Sequence, residues 1–261
     1  MVRFVSLSSG SNGNCYYIGN ESVAFLIDVG IGGRTIRKRL AEVGIPFDSI
    51  DFILVTHDHA DHIRSLGLFT QRFRKPVYAT RTLHKALSHN FCTMGKMTGC
   101  VHYLTEGQSE EICGVSVTPF EVPHDATQTV GYHIVISGER FTVMTDLGEV
   151  TDDAVFYASK ADHLIVEANY DVDMLFGGIY PPQLKARIAS GIGHLSNEQT
   201  ASLIRKANNA ALKDIFLCHL SEHNNTPHLA FNTVNETLGK SDSQASLTCL
   251  PRMQTSALFE Y

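Results

Sequence analysis

A cluster of histidines and aspartates directly after a short apolar run constrains this chain more than any other feature. The run Phe52–Val55 predicts a buried strand, and it leads straight into the sequence Thr-His-Asp-His-Ala-Asp-His. Because His57 and His59 are two residues apart in an extended loop, both imidazoles point to one side and can share one metal ion. Asp61 and His62 follow where a helix would begin, so they suit a second, neighbouring metal.

Three further candidate ligands occur at predicted strand ends. His124 lies just past the predicted strand Val115–Thr118. Asp146 ends an apolar run, and His219 ends the predicted strand Ile215–Cys218. Each of these three residues, taken alone, could equally be an ordinary loop residue whose side chain is hydrogen-bonded. For the cluster from His57 to His62, the simple alternative is that polar residues gather there because it is a loop. The recurrence of candidate ligands in order at strand ends favours a metal site.

Strand and helix patterns alternate along the chain and predict a layered α/β fold. The predicted strands are Arg3–Leu7, Cys15–Ile18, Val23–Asp28, Phe52–Val55, Val115–Thr118, Thr129–Ile136, Phe141–Thr145, His163–Val166 and Ile215–Cys218, and the predicted helices are Arg34–Val43, Leu83–His89, Asn197–Asn208 and His228–Leu238. Two β-rich halves interleaved with helices favour a sandwich over an all-α or all-β fold. With no repeat and no long linker, residues 1–261 are expected to form a single domain.

Composition excludes several other classes of protein. The charged fraction of 18% is ordinary for a globular protein. No run of about 18 apolar residues occurs, so no membrane segment is predicted. The first residues read as a strand and a turn rather than as a secretory signal, and we therefore expect a cytoplasmic protein. The six cysteines contain no Cys-x-x-Cys pair, which argues against a thiolate zinc site.

The net charge of −6 argues against a uniformly basic surface that binds nucleic acid by counterion release alone. Local basic patches remain possible binding surfaces, although exposed lysines and arginines usually only solvate a protein. The candidates for contacts with a phosphate backbone are Arg34, Arg37, Lys38, Arg39, Arg72, Arg74, Lys75, Lys185 and Arg187.

Taken together, these residues resemble the five motifs of the metallo-β-lactamase superfamily over essentially the whole chain. The resemblance implies a four-layer αββα sandwich. It implies that His57, His59 and His124 hold one metal, that Asp61, His62 and His219 hold the other, and that Asp146 bridges them. It also implies that Asp28 is a buried residue that orders the metal loop without touching metal. Such imidazole and carboxylate ligands favour zinc, and they would also accommodate manganese or iron.

Two departures from the superfamily's branches narrow the expected activity. Asp146 stands where β-lactamases of the best-known subclass carry cysteine, which disfavours antibiotic hydrolysis. His59 stands where the diiron redox branch usually carries glutamate, which disfavours an oxidoreductase.

Glu167 and His194 resemble the paired Glu and His of the ribonuclease Z group. A histidine near a leaving oxygen can act as a general acid, and a carboxylate partner would raise its pKa and hold its ring. The simpler alternative is that His194 merely precedes the predicted helix Asn197–Asn208.

The whole pattern is most similar to the YycJ (WalJ) group, which is associated with nuclease activity that includes 5′ to 3′ exonuclease action on DNA. The pattern begins with the segment Leu7–Asn14, which offers groups suited to a phosphate-contacting loop and also forms a good hairpin turn. It ends with the segment from His219 to Asn225. The candidate substrate-binding residues are Ser9, Ser11, Asn12, Asn14 and Asn224.

The spacing of the ligands excludes two insertions found in related nucleases. Only 21 residues separate His124 from Asp146, too few for the tRNA-gripping arm that ribonuclease Z enzymes often carry there. The 72 residues between Asp146 and His219 leave no room for the extra domain of the β-CASP nucleases.

The leading hypothesis is hydrolysis of a phosphodiester by a hydroxide that lies between two metals and is oriented by Asp61. The substrate would be a nucleic acid, with DNA favoured over RNA, or else a small phosphodiester. His194 would protonate the leaving oxygen, supported by Glu167. One alternative is a thioester or lactone hydrolase on the same scaffold. Another is a metal-stabilised regulatory protein without turnover. The sequence does not predict a protein partner, and it leaves His223 as a residue that could line the cleft.

Overall fold

The computed structural model describes residues 1–207, 209–239 and 244–261. Within these residues the strands form two seven-stranded sheets. The first sheet has the order β14 (Phe259–Glu260), β1 (Arg3–Ser8), β2 (Cys15–Gly19), β3 (Ala24–Ile27), β4 (Phe52–Leu54), β5 (Val77–Thr80) and β6 (Val101–Leu104). The second has the order β13 (Ser246–Cys249), β12 (Asp214–Cys218), β11 (His163–Glu167), β10 (Glu139–Met144), β9 (Val130–Ile136), β8 (Val115–Glu121) and β7 (Glu110–Ile112).

Each sheet combines an antiparallel part with a parallel part. In the first sheet β1, β2 and β3 pair antiparallel, whereas β3 to β6 pair parallel. In the second sheet β7 to β10 pair antiparallel and β10 to β13 pair parallel. The described helices are α1 (Gly33–Glu42), α2 (Ala60–Ile63), α3 (Leu66–Phe73), α4 (Arg81–His89), α5 (Asp152–Ala158), α6 (Val172–Gly177), α7 (Pro182–Ile188), α8 (Asn197–Ala207) and α9 (Pro227–Leu238), with a 3-10 turn at Phe47–Ser49.

Apolar side chains form three layers, and these layers explain how the sheets and helices stack. Alternation along each strand sends one set of residues to each face, so that in β1 Phe4 packs between the sheets while Val5 faces the first helical layer. Phe4 meets Phe141 and Phe216 of the second sheet in the middle layer. Helices α1, α3 and α4 cover the other face of the first sheet, and α5, α8 and α9 cover the other face of the second. The predicted αββα sandwich is therefore confirmed.

Every predicted strand and helix overlaps an observed one, although several short elements are absent from the sequence prediction. These are the strands β5, β6, β7, β13 and β14 and the helices α3, α5, α6 and α7. Asn208, the last residue of the predicted helix Asn197–Asn208, lies outside the described residues. No described helix is long and apolar enough to cross a membrane.

The parallel strands place the candidate residues at their carboxyl ends. Asp28 directly follows β3, Asp146 lies two residues after β10, and His219 directly follows β12. Asp28 and His219 both adopt the left-handed region, with φ of 59° and 52°. Such a backbone is costly for residues other than glycine and persists where the surrounding contacts enforce it, often at functional sites.

Candidate metal centre

The candidate ligands converge into one buried cluster. The ligand atoms of His57, His59 and His124 lie within 4.8 Å of one another, and so do those of Asp61, His62 and His219. Asp146 joins the two groups, because its Oδ1 lies 3.8 Å from His124 Nε2 in the first and its Oδ2 lies 3.3 Å from His62 Nε2 in the second. The structure therefore brings together every residue that the sequence predicted as a ligand.

Several of these atoms have no hydrogen-bond partner although they are buried. Within the described residues these atoms are the Nε2 atoms of His57, His124 and His219 and the Oδ2 of Asp146. Leaving a buried polar atom unpaired costs about 1–3 kcal/mol, so four such atoms that face one centre need an explanation. Imidazole nitrogens and a carboxylate oxygen are the donors that divalent metal ions take, and this donor set fits a pair of such ions.

For two of the donors, His57 and Asp146, the electrostatics of the centre favour the metal-binding form. Burial, reinforced by neighbouring His62, lowers the pKa of His57 well below its usual value, so this imidazole is neutral. Burial alone would raise the pKa of Asp146, but His219 and His62 outweigh it and hold that pKa well below the usual range. Asp146 is therefore an ionised carboxylate, as a shared ligand would require.

Asp28 lies fully buried beneath the metal loop. Its Oδ1 accepts the backbone N–H of Thr56 at 2.9 Å, and its Oδ2 accepts the Thr56 hydroxyl at 2.7 Å. The same Oδ2 lies 2.6 Å from His62 Nδ1. This bond fixes the His62 ring with Nε2 towards Asp146, which is the arrangement expected of an aspartate that orders the metal loop.

The backbone around the metal loop is packed too closely for a side chain at Gly30. A Cβ atom there would lie 1.6 Å from the carbonyl oxygen of Asp61. The same carbonyl accepts the backbone N–H of Asn14 at 2.8 Å. The loop between β1 and β2, the residues after β3 and the metal loop therefore hold one another in place.

The candidate substrate-binding residues divide into two groups. Ser11 and Asn12 are exposed at the tip of the loop after β1 and line clefts near the site. Ser9, Asn14 and Asn224 are buried, which differs from the sequence expectation. Each of the three makes a hydrogen bond within the protein, although Asn224 Oδ1 has no hydrogen-bond partner among the described residues. Ser9 Oγ accepts the backbone N–H of His219 at 2.9 Å, Asn14 Nδ2 lies 2.9 Å from His62 Nε2, and Asn224 Nδ2 donates to Ser221 Oγ at 3.2 Å.

Glu167 links the cluster to His194. Its Oε1 lies 2.7 Å from Nδ1 of His194 and 2.8 Å from Nδ1 of His219, and the contact with His219 was not predicted. Its Oε2 accepts the backbone N–H groups of Leu147 and Leu195 at 3.2 and 3.0 Å. Burial alone would lower the pKa of His194, but the Glu167 carboxylate outweighs burial and raises it. His194 is therefore well suited to carry a proton beside the metal ligands.

A cleft of about 210 Å³ opens beside His194 and contains residues that the sequence interpretation did not single out. One is Asp125, whose backbone carbonyl lies 3.3 Å from His59 Nε2 and whose Oδ1 lies 3.3 Å from His124 Nε2. Its other carboxylate oxygen accepts Nε of Arg187 from α7. The position of Asp125 next to His124 was the available sequence signal, but an acidic neighbour of a ligand is too common to be informative by itself.

Comparison with known proteins agrees with this geometry. A sequence profile described as the beta-lactamase superfamily domain matches residues 24–219. The chain is 33% identical over 241 residues to exodeoxyribonuclease WalJ of Streptococcus pneumoniae, which covers 92% of this chain and 89% of that protein. It is 32% identical over 240 residues to exodeoxyribonuclease YycJ of Bacillus anthracis, covering 91% and 89%.

Among solved structures, the metallo-beta-lactamase fold protein YhfI of Bacillus subtilis superimposes with a TM-score of 0.74 at 15% identity, covering 100% of this chain and 99% of that one. At that identity the likeness concerns the fold alone. The sequence relatives and the fold together confirm the resemblance on which the sequence interpretation depended.

Proposed function

Because the chain belongs to the metallo-β-lactamase superfamily and is a metal-dependent hydrolase of that group, we propose that it hydrolyses phosphodiester bonds of DNA as a 5′ to 3′ exonuclease. The names of the two relatives at about one-third identity support DNA as the substrate. The single observation that carries the reaction type is the His194–Glu167 pair, which meets the ligand cluster directly.

The proposed ligand assignment follows the two groups in the cluster. His57, His59 and His124 would hold one divalent ion, Asp61, His62 and His219 would hold the other, and Asp146 would contribute to both. Zinc suits these donors best, and manganese or iron would also be accepted. When bound, such ions supply Lewis-acid chemistry: they make water a stronger nucleophile at neutral pH and neutralise charge on a phosphate.

The protein's own residues then have distinct tasks. Asp61 keeps its carboxylate 3.8 Å from His219 Nε2 and remains partly exposed, so it can orient the attacking water towards phosphorus. His194 donates the proton on Nε2 to the leaving oxygen, and Glu167, bonded to Nδ1, raises the pKa of the ring so that it stays protonated until transfer. Asp28 keeps His62 in one orientation throughout.

A general acid matters most when the leaving group is a poor one, such as the sugar oxygen of DNA. A thioester or an activated lactone has a better leaving group, so its hydrolysis would gain less from His194. The pairing of half-buried His194 with buried Glu167 therefore favours a phosphodiester substrate over these alternatives.

The proposal is tested by incubating 5′-labelled double-stranded DNA with the protein and manganese or zinc. The native chain should release labelled nucleotide from the 5′ end, whereas Asp61→Ala and His194→Ala should lose about 10²-fold or more of this activity. Asp153→Ala, which changes an exposed aspartate on α5, is the matched control and should retain it.

Two results would contradict the proposal. One is absence of DNA degradation by protein that carries two metals per chain, combined with turnover of a thioester, which would assign a small-molecule hydrolase. The other is metal-loaded protein that turns over neither substrate class, which would favour a regulatory role.

A further inference from the structure

A groove extends from the metal centre along the surface of the protein. The cleft beside His194 adjoins a second cavity of about 240 Å³, and the two share Ser11, Tyr180 and Ser221 in their walls. Arg187 lines the first cavity, and Arg252 lines the second. A path therefore leads from the proposed reaction centre past Arg187 and Tyr180 to Arg252.

Each of the two arginines is held by one carboxylate and keeps further donors available. Nε of Arg187 donates to Asp125, and neither Nη atom has a hydrogen-bond partner within the described ranges. The Arg187 side chain remains 62% exposed. Nη2 of Arg252 lies 3.2 Å from Glu222 Oε1. A guanidinium has five N–H donors, so both groups can bind an anionic oxygen while they stay oriented by their partners.

Three of the other basic candidates make structural contacts instead. Arg39 donates to the carbonyls of Leu7 and Met253. Lys75 donates to the carbonyl of Ile50, and Arg37 stacks over Phe47 with 4.5 Å from its guanidinium carbon to the ring centre. Of the basic residues that the sequence singled out, Arg187 is the one in the described groove walls.

Tyr180 lies at the junction of the two cavities, on the loop between α6 and α7. Lys185 braces this loop by donating to the carbonyls of Phe176 and Gly178 at 2.8 and 2.7 Å. The Tyr180 ring meets His223 edge-on at 5.9 Å, so His223 also lines the groove. The neighbouring Ile179 is 90% exposed, which makes this loop an apolar rim beside the cleft.

From this arrangement we propose that the groove binds an unpaired end of the DNA strand, with Arg187 and Arg252 contacting successive phosphates and Tyr180 stacking on a base. The inference rests on the proposed nuclease function. Alternating cationic and aromatic groups along a groove are how proteins hold single strands without reading their sequence. A base within a duplex is already stacked on its neighbours, so contact with Tyr180 requires an unpaired nucleotide.

The test measures binding rather than hydrolysis. Fluorescence anisotropy of a labelled oligodeoxythymidine of about ten nucleotides, made with hydrolysis-resistant phosphorothioate links, follows its association with metal-loaded protein. Tyr180→Ala should weaken binding about tenfold, whereas Tyr180→Phe should retain it, because stacking needs the ring and not the hydroxyl. Arg187→Gln and Arg252→Gln should each reduce the slope of log K against log salt by about one.

Lys206→Gln is the matched control, since Lys206 is exposed on α8 and lines neither cavity. It should leave both affinity and slope unchanged. Thermal unfolding of every variant checks that the fold is intact.

The groove proposal and the nuclease proposal fail in different ways. If the native chain digests DNA but Tyr180→Ala and the arginine variants bind like the control, the groove assignment is overturned. Tighter binding of a blunt duplex than of the single strand would also overturn it. If the variants weaken binding as expected but the native chain digests no DNA, the groove stands and the nuclease assignment falls.

Discussion

Two groups of buried histidines and carboxylates lie at opposite ends of the second sheet, and they differ in how their polar atoms are satisfied. At the start of β11, His163 has Nδ1 2.7 Å from Asp214 Oδ2 and Nε2 3.0 Å from Glu139 Oε2. Both ring nitrogens are therefore used within the protein. At the other end of the sheet, His219 follows β12 with its Nε2 buried and without a hydrogen-bond partner among the described residues.

This difference separates a structural cluster from a metal centre more reliably than residue type does. Both groups contain histidine and carboxylate side chains, but of the two groups only the metal centre has buried donor atoms without a hydrogen-bond partner. Both nitrogens of His163 are paired, so this residue stabilises the fold, whereas the unpaired buried nitrogens of His57, His124 and His219 cost stability that a bound cation would restore.

The largest expected effect comes from removing the shared carboxylate of the metal centre. Asp146→Ala should lower the bound metal below two ions per chain and reduce DNA hydrolysis by roughly 10³-fold or more, because both ions lose a ligand. Metal analysis by mass spectrometry and a nuclease assay on the same sample measure both effects. If the Asp146→Ala variant kept two ions and full activity, the assignment of Asp146 as a metal ligand would be wrong.

The next effect concerns His194, which faces the same centre but is expected to move a proton. His194→Ala should keep two metals and lower kcat on DNA about 10²–10³-fold. The loss should be much smaller on a bis(4-nitrophenyl) phosphodiester, because nitrophenolate leaves without receiving a proton. Equal losses on both substrates would show that His194 acts in some other way.

The structural cluster should give the opposite result. His163→Gln removes the two ring hydrogen bonds while Lys213 still pairs with Glu139 and Ser246 with Asp214, so the free energy of unfolding should fall by about 1–3 kcal/mol. Urea unfolding measures this loss. Metal content should stay at two ions per chain. A loss of metal in this variant would contradict the conclusion that the His163 cluster is structural and separate from the metal centre.

A smaller effect is expected at His133 on β9, whose Nδ1 bonds the Thr142 hydroxyl at 2.9 Å. Burial, together with Lys160 and Arg140, lowers its pKa to about 4. The unfolded chain therefore binds this proton more strongly, and stability should be lost as pH falls from about 6.5 towards 4.

His133→Asn keeps a polar group near Thr142 but cannot take up that proton. Its melting temperature should therefore drop less than that of the native chain between pH 6.5 and 4, by a difference of roughly 2 °C. Parallel curves for the two proteins over this range would contradict the assignment. His133 lies between the two groups in this respect, because one of its ring nitrogens is hydrogen-bonded and it is not a proposed metal ligand.

Much of the metal centre was predictable because its signals are local. The spacing of His57 and His59 after a strand, and the placing of Asp146 and His219 at strand ends, reflect the geometry of an extended chain and of a parallel sheet. A layered α/β sandwich followed from the alternation of strand and helix patterns, and the family resemblance supplied the αββα order of the layers. Short edge strands such as β7 and β14 carry too few residues for such a pattern and were missed.

The surroundings of the centre were less predictable, because they join residues that are distant in sequence. Ser9 and Asn14 were expected at the substrate, yet folding buries both and turns them towards His219 and His62. Arg252 was not singled out, and it reaches the groove only because the chain near the C-terminal strand β14 returns beside the first loop.

The sequence by itself determined the donor types, their order and the layered fold, since these depend on residue chemistry and on periodicities of a few residues. The tertiary structure decided which polar atoms are satisfied and which are left for a ligand. Ser9 Oγ, for example, accepts the backbone N–H of a residue 210 positions away. Burial and hydrogen bonding depend on neighbours from the whole chain, so the contact of Glu167 with His219 and the positions of Tyr180 and Arg252 in the groove emerge only once it is folded.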